Sequence, residues 1–236
     1  MNLITNIFRS SLGRKYIMAA TGFALFLFVI AHLAGNLQIF LGPEAINRYG
    51  HFLQSNPELL WPARIGLLLM VGLHIWSAAA ISAENKAARP VGYAEYQPVG
   101  SSYASRTMLM SGLIVLAFVI YHLLHYTVMV KAVNLTGRDF AAKPEFYAGA
   151  EHDIFKMMVV GFSNGWVSAF YIVGMALLCL HLSHGASSMF QSIGWSNEAW
   201  RPVIEKFSRV LAVLIFLGYS SIPVAVLLGY GKEALK

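Results

Sequence analysis

The chain has 236 residues, 57% of them hydrophobic and only 12% charged, with a mean hydropathy of +0.59, whereas an ordinary soluble domain is about 25% charged. That composition argues against a soluble enzyme. The formal net charge of +6 is spread over short stretches between apolar windows rather than gathered into a patch, which favours contact with a lipid surface over nucleic acid.

Residues 1–15 read as an N-terminal interfacial segment, because Ile4, Ile7, Phe8 and Ser11 or Leu12 recur at helical spacing. The remainder, 16–236, reads as a single transmembrane domain. Span I covers about 16–41, too long for the apolar region of a signal peptide and carrying His32 and Asn36 in its second half. Span II covers about 61–83 and opens on Trp61-Pro62, an interfacial anchor followed by a proline tolerated in a first turn. Span III covers about 106–131. An apolar stretch at 155–160 is followed by an expected break at Gly161 and Phe162-Ser163-Asn164-Gly165, after which span IV covers about 166–190. Span V covers about 207–229, with a kink expected at Pro223. Each window is long enough, at about 1.5 Å per residue, to cross a hydrocarbon core of about 30 Å.

Five spans place the two ends on opposite sides. An inside N-terminus puts nine Lys or Arg inside against eight outside, a slight preference by the positive-inside rule. No internal repeat is visible, and the longest connection, 132–165, is too short and mixed to fold alone.

Six of the eight histidines lie in spans: His32, His74, His122, His125, His181 and His184. A lone histidine in a soluble core is usually just a satisfied core residue, but an ionisable side chain in hydrocarbon is costly and marks a site by default. With the N-terminus inside, His32 and His122 each lie ~24 Å from the inner end of their span, and His74 and His181 each ~14 Å. Two imidazoles at one height on facing helices can ligate a haem iron from both sides. The depths therefore predict an outer pair, His32 and His122, and an inner pair, His74 and His181. Cys179 is the one cysteine, so C-x-x-C-H attachment is absent and any haem is held non-covalently.

Small residues one and two turns from a ligand make room for a porphyrin. Gly174, Gly185 and Ser188 do so for His181, Gly35 and Asn36 for His32, and Ala78 for His74, whereas His122 is flanked by Val115, Phe118 and Tyr126. His125 and His184 follow by three residues and are rivals for the ligand roles, or bond propionates or a quinone, or snorkel to the interface. His51 and His152 are expected to be solvated. The predicted fold is an all-α membrane protein of five transmembrane helices, the first four forming a haem-binding bundle.

Several flanks carry a family resemblance: Ala31-His32-Leu33 with Asn36, Glu44-Ala45-Ile46-Asn47, His51-Phe52, and His74 before Ala83-Glu84-Asn85-Lys86. They continue with Tyr121-His122-Leu123, Phe170-Tyr171-Ile172-Val173-Gly174, and His181-x-x-x-Gly185-x-x-Ser188. Together, over almost the whole chain, the layout resembles the succinate dehydrogenase/fumarate reductase cytochrome b subunit of the single-chain, five-helix, dihaem (cytochrome b558) type. The resemblance implies two b haems held by His32, His74, His122 and His181, and favours His181 over His184. It also implies a flavoprotein subunit with FAD, an iron-sulfur subunit, menaquinone or ubiquinone as membrane substrate, and a multi-pass place in a bacterial inner membrane with the N-terminus cytoplasmic. On that expectation the chain is an electron-transfer subunit with no dicarboxylate site of its own. Glu58 aligns with no motif and is unassigned. A free-standing cytochrome b that oxidises quinol would use the same histidines. A proton-coupled transporter is a third reading, opposed by the scarcity of Asp and Glu within the spans.

Overall fold

The computed structural model describes residues 7–88, 103–136 and 152–235, and among these there is no strand. The longer helices are α1 (Ser11–Asn36, prolonged by a 3-10 turn, Leu37–Leu41), α2 (Pro43–Gln54), α3 (Pro57–Ala87), α4 (Met108–Tyr126), α5 (Ile154–Phe162), α6 (Gly165–Ser192) and α7 (Arg201–Leu227). Five of them, α1 with its extension, α3, α4, α6 and α7, are long and apolar enough to cross a membrane. The protein is a helical membrane protein.

The helix ends differ from the hydropathy windows for local reasons. Helix α1 starts at Ser11 rather than near 16, because Ser11 and Arg14 in its first turn both bond Glu84 at the end of α3. That partly sheltered ion pair lets a charged turn join an apolar helix. Helix α3 starts at Pro57, four residues before Trp61, with Pro62 accommodated inside it. Helix α4 ends at Tyr126, five residues short of 131: the chain turns there, with Val128 N–H bonding the Leu123 carbonyl and Met129 at φ 55°. The break expected at Gly161 falls later, since α5 runs through to Phe162 and Asn164 then accepts the N–H groups of Trp166 and Val167 to start α6. Helix α7 continues past Pro223 to Leu227. The connection at 43–54, polar enough to read as a loop, is helix α2, entered through Gly42 at φ 99° and Pro43 in the first turn.

Residues of the chain group into two compact units. The first comprises Met1–Phe28, Arg64–Gly112 and Leu180–Ala212, and the second Val29–Ala63, Leu113–Cys179 and Val213–Lys236. In the first, the Arg14–Glu84 pair fixes the start of α1 to the end of α3, and Phe8 packs on Trp76 at 5.7 Å. In the second, Ile39, Ile46, Phe118, Phe155, Val159, Tyr171 and Ile222 belong to one buried cluster. Asn47 ties α2 to α5: its amide donates to Asp153 (2.9 Å) and its carbonyl accepts from the N–H groups of Ile154 (2.8 Å) and Phe155 (3.1 Å). Two orphan N–H groups of a helix start, and the capping carboxylate beside them, are thus met by one buried side chain. Large apolar side chains such as Ile65, Leu68, Leu113, Leu214 and Leu217 stay exposed, as a hydrocarbon surrounding requires. Trp61 and Trp166, at the starts of α3 and α6, are also exposed, in the manner of interfacial anchors.

Candidate functional site

Helical positions place the four predicted ligands in matching registers. His32 and His122 each sit four residues before the end of their helix, α1 and α4. His74 and His181 sit near the middle of α3 and α6. Each pair falls within one compact unit, His74 and His181 in the first and His32 and His122 in the second.

In the first unit, the imidazoles of His74 and His181 face each other with ring centroids 6.4 Å apart and planes at 68°. Each ring is held from behind by a hydroxyl. Thr21 Oγ1 lies 3.2 Å from His74 Nδ1, and Ser111 Oγ lies 3.2 Å from His181 Nδ1. Both hydroxyls already bond backbone carbonyls of their own helix, Thr21 that of Ile17 at 2.7 Å and Ser111 that of Met108 at 3.0 Å. Their single protons are so engaged, and they accept from Nδ1–H. The tautomer that follows carries its lone pair on Nε2, the form in which an imidazole binds a metal.

In the second unit, His32 and His122 stand 5.8 Å apart at 80°. Phe118 stacks on His122 at 6.3 Å and 23°, and Tyr219 lies 6.3 Å from His32. The Tyr171 hydroxyl is 3.0 Å from His125 Nδ1 and 3.4 Å from His122 Nδ1. One phenolic proton serves one nitrogen, so Tyr171 can donate to one of these two rings and accept from the other.

Each pair stands at a separation at which two imidazoles can hold one metal ion. Two imidazoles on opposite sides of one metal ion, at about 2 Å per bond, hold their centroids roughly 6 Å apart, and the two pairs stand at 5.8 and 6.4 Å. Among the described residues no cluster of three or more His, Cys, Asp or Glu forms a metal cage.

The neighbouring histidines have other surroundings than the sequence suggested. His125 is fully buried, bonded to Tyr171 and flanked by Tyr121, Tyr126 and the side chain of Asn134. It is a packing member of an aromatic cluster and does not snorkel. His184 Nε2 bonds Ser188 Oγ on its own helix at 3.0 Å, so Ser188 is not spare room for a porphyrin. Gly174 is not spare room either: a Cβ there would overlap the ring of Phe118. Gly35 is likewise taken, by Tyr49, whose ring would lie 2.7 Å from a Cβ. Gly185 does stay open, with only Met108 Cε at 3.9 Å. His51 and His152 are half-buried with Nδ1 withdrawn from solvent, against the expectation of solvated rings.

The residues that the histidine count missed are Thr21, Ser111, Tyr171 and Tyr219. A signal for the first two is present: Thr21-Gly22 precedes His32 by eleven residues, and Ser111-Gly112 precedes His122 by eleven. Eleven residues is about three helical turns, so hydroxyl, glycine and histidine share a face on both helices. Comparison with family models, with curated proteins and with solved structures finds no match to this chain.

Proposed function

We propose that this chain is a dihaem cytochrome b membrane-anchor subunit of a succinate:quinone oxidoreductase, passing electrons between an iron-sulfur subunit and a membrane quinone. The observation that carries the reading is the pair of facing imidazole couples, each with its centroids at the bis-imidazole separation. His32 and His122 hold one haem b, and His74 and His181 the other. A haem so held supplies one-electron redox chemistry. The chain's residues fix its setting: Thr21, Ser111 and Tyr171 orient imidazoles, and apolar helices keep water away. The flanking motifs named above support the particular complex, with its FAD flavoprotein and iron-sulfur partners.

Purified protein is expected to contain about two b haems per chain, extractable by acid acetone and measured as pyridine haemochrome. A ratio near one, or covalently retained haem, defeats the dihaem reading. Copurification of a flavoprotein supports the complex, and a haem-loaded chain that never brings one down leaves only a free-standing cytochrome b.

The membrane is a bacterial inner membrane in this reading, with the N-terminus cytoplasmic and the His32–His122 pair nearer the outer face. The end marked by the Arg14–Glu84 pair then faces inward, together with Lys15, Lys86, Arg201, Lys206 and Arg209. Positions 92 and 137, both outside the described residues, report on it. On a Cys179→Ser background, Gly137→Cys is expected to react with a membrane-impermeant thiol reagent in intact cells and Gly92→Cys to stay unlabelled. The opposite pattern inverts the topology.

A further inference from the structure

A serine or threonine in an apolar helix routinely bonds a carbonyl three or four residues back, so a hydroxyl alone says little. Ser77, Ser183, Ser187 and Ser221 make only that kind of bond. Thr21 and Ser111 make it too, and in addition each aims its oxygen at a histidine Nδ1 on the neighbouring helix, at the same 3.2 Å, the His74 ring also bonding the Met18 carbonyl. In both cases the next residue is a glycine beside that imidazole. A Cβ on Gly22 would lie 3.2 Å from His74 Cε1, and one on Gly112 would lie 3.5 Å from His181 Cε1. Ser111 is 7% and Thr21 4% exposed, so water does not compete for either bond.

We propose that Thr21 and Ser111 are a matched pair of positioning residues that, by accepting the Nδ1–H of His74 and His181, set the reduction potential of the haem these two imidazoles hold. This rests on the haem reading above. A hydrogen bond accepted from Nδ1–H raises the electron density at Nε2 and favours the ferric state, which lowers the potential. A neutral hydroxyl does this more weakly than a carboxylate, so each acceptor contributes a modest increment, and at His74 it adds to that of the Met18 carbonyl. Gly22 permits the approach, since a Cβ there would stand tighter than ordinary contact with the ring, whereas the space at Gly112 would admit one.

The test is an optical redox titration of the purified holoprotein, with the haem of this pair identified by its absence in His74→Ala. Thr21→Val is expected to raise that haem's midpoint and leave the other haem unmoved. Ser111→Ala is expected to shift it by a similar amount, and the double variant by about the sum. Each single shift should correspond to at most a tenfold change in the ferric/ferrous ratio, about 59 mV for one electron. Thr21→Ser and Ser111→Thr, which keep the hydroxyl, should restore the native midpoint. Loss of this haem in Thr21→Val with retention in Thr21→Ser also supports the proposal. An unshifted midpoint, an equal shift of both haems, or a Thr21→Ser variant that behaves like Thr21→Val overturns it. Wild-type protein without haem overturns the haem reading itself and this proposal with it.

Discussion

His32→Ala and His122→Ala are each expected to remove the same haem, taking the content from about two per chain to about one, while His74→Ala and His181→Ala each remove the other. A low-spin iron needs both axial imidazoles, so either partner's loss is equivalent. The pairing follows from the facing rings, at 5.8 Å for His32 and His122 and 6.4 Å for His74 and His181. Haem content and the optical spectra of the four variants check it. His125→Ala and His184→Ala should keep both low-spin signals, because His125 is enclosed by Tyr171, Tyr121 and Tyr126 and His184 bonds Ser188. A low-spin signal abolished by His125→Ala but kept in His122→Ala would reverse the assignment on that helix.

Gly174→Leu is expected to destabilise the protein and to empty the His32–His122 site selectively. Even a Cβ at that position overlaps the ring of Phe118, which is 6% exposed, packs against Tyr171 at 5.3 Å and stacks on His122. One of the groups the displaced ring would press on is the His122 imidazole stacked against it. Overpacking of this kind costs about 1–3 kcal/mol or more, and the displaced imidazole no longer meets His32 in register. Gly72→Leu is the control, since nothing lies within 4 Å of a Cβ there. Unfolding midpoints in detergent together with the haem ratio measure both effects. Equal losses in the two variants would mean that helix glycines matter here for a reason other than the Phe118 contact.

Hydropathy alone revealed the five spans, because a helix that must hide its backbone in hydrocarbon needs about twenty apolar residues in a row. It misjudged their ends, because apolar windows do not encode caps. Arg14 looked like the edge of span I and is inside α1, neutralised by Glu84. Val128, Met129 and Val130 looked like continued span, although the chain turns at Met129. The amphipathic α2 and its Asn47 anchor were unreadable because their value lies in contacts with α5, a hundred residues on. The histidine pairs were legible from depth, since helical rise converts sequence position into height. Their partners divide differently. Thr21 and Ser111 share the eleven-residue register with His32 and His122 and become visible once hydroxyls are counted beside histidines. Tyr171 reaches His125 and His122 across helices, a meeting that no spacing within one helix specifies.

Helix α7 carries no histidine, yet Tyr219 sets its ring beside that of His32 and bonds the Val29 carbonyl at 2.8 Å, while the backbone at Gly218 meets Leu33. This gives the two sites different histories during biosynthesis. Spans leave the ribosome in order, N-terminal first. His74 and His181, with Thr21 and Ser111, are all present once α6 has been inserted. The His32–His122 couple has both imidazoles earlier, when α4 emerges, but its Tyr219 wall arrives only with α7. The couple whose imidazoles are made first is therefore the one whose surroundings are completed later.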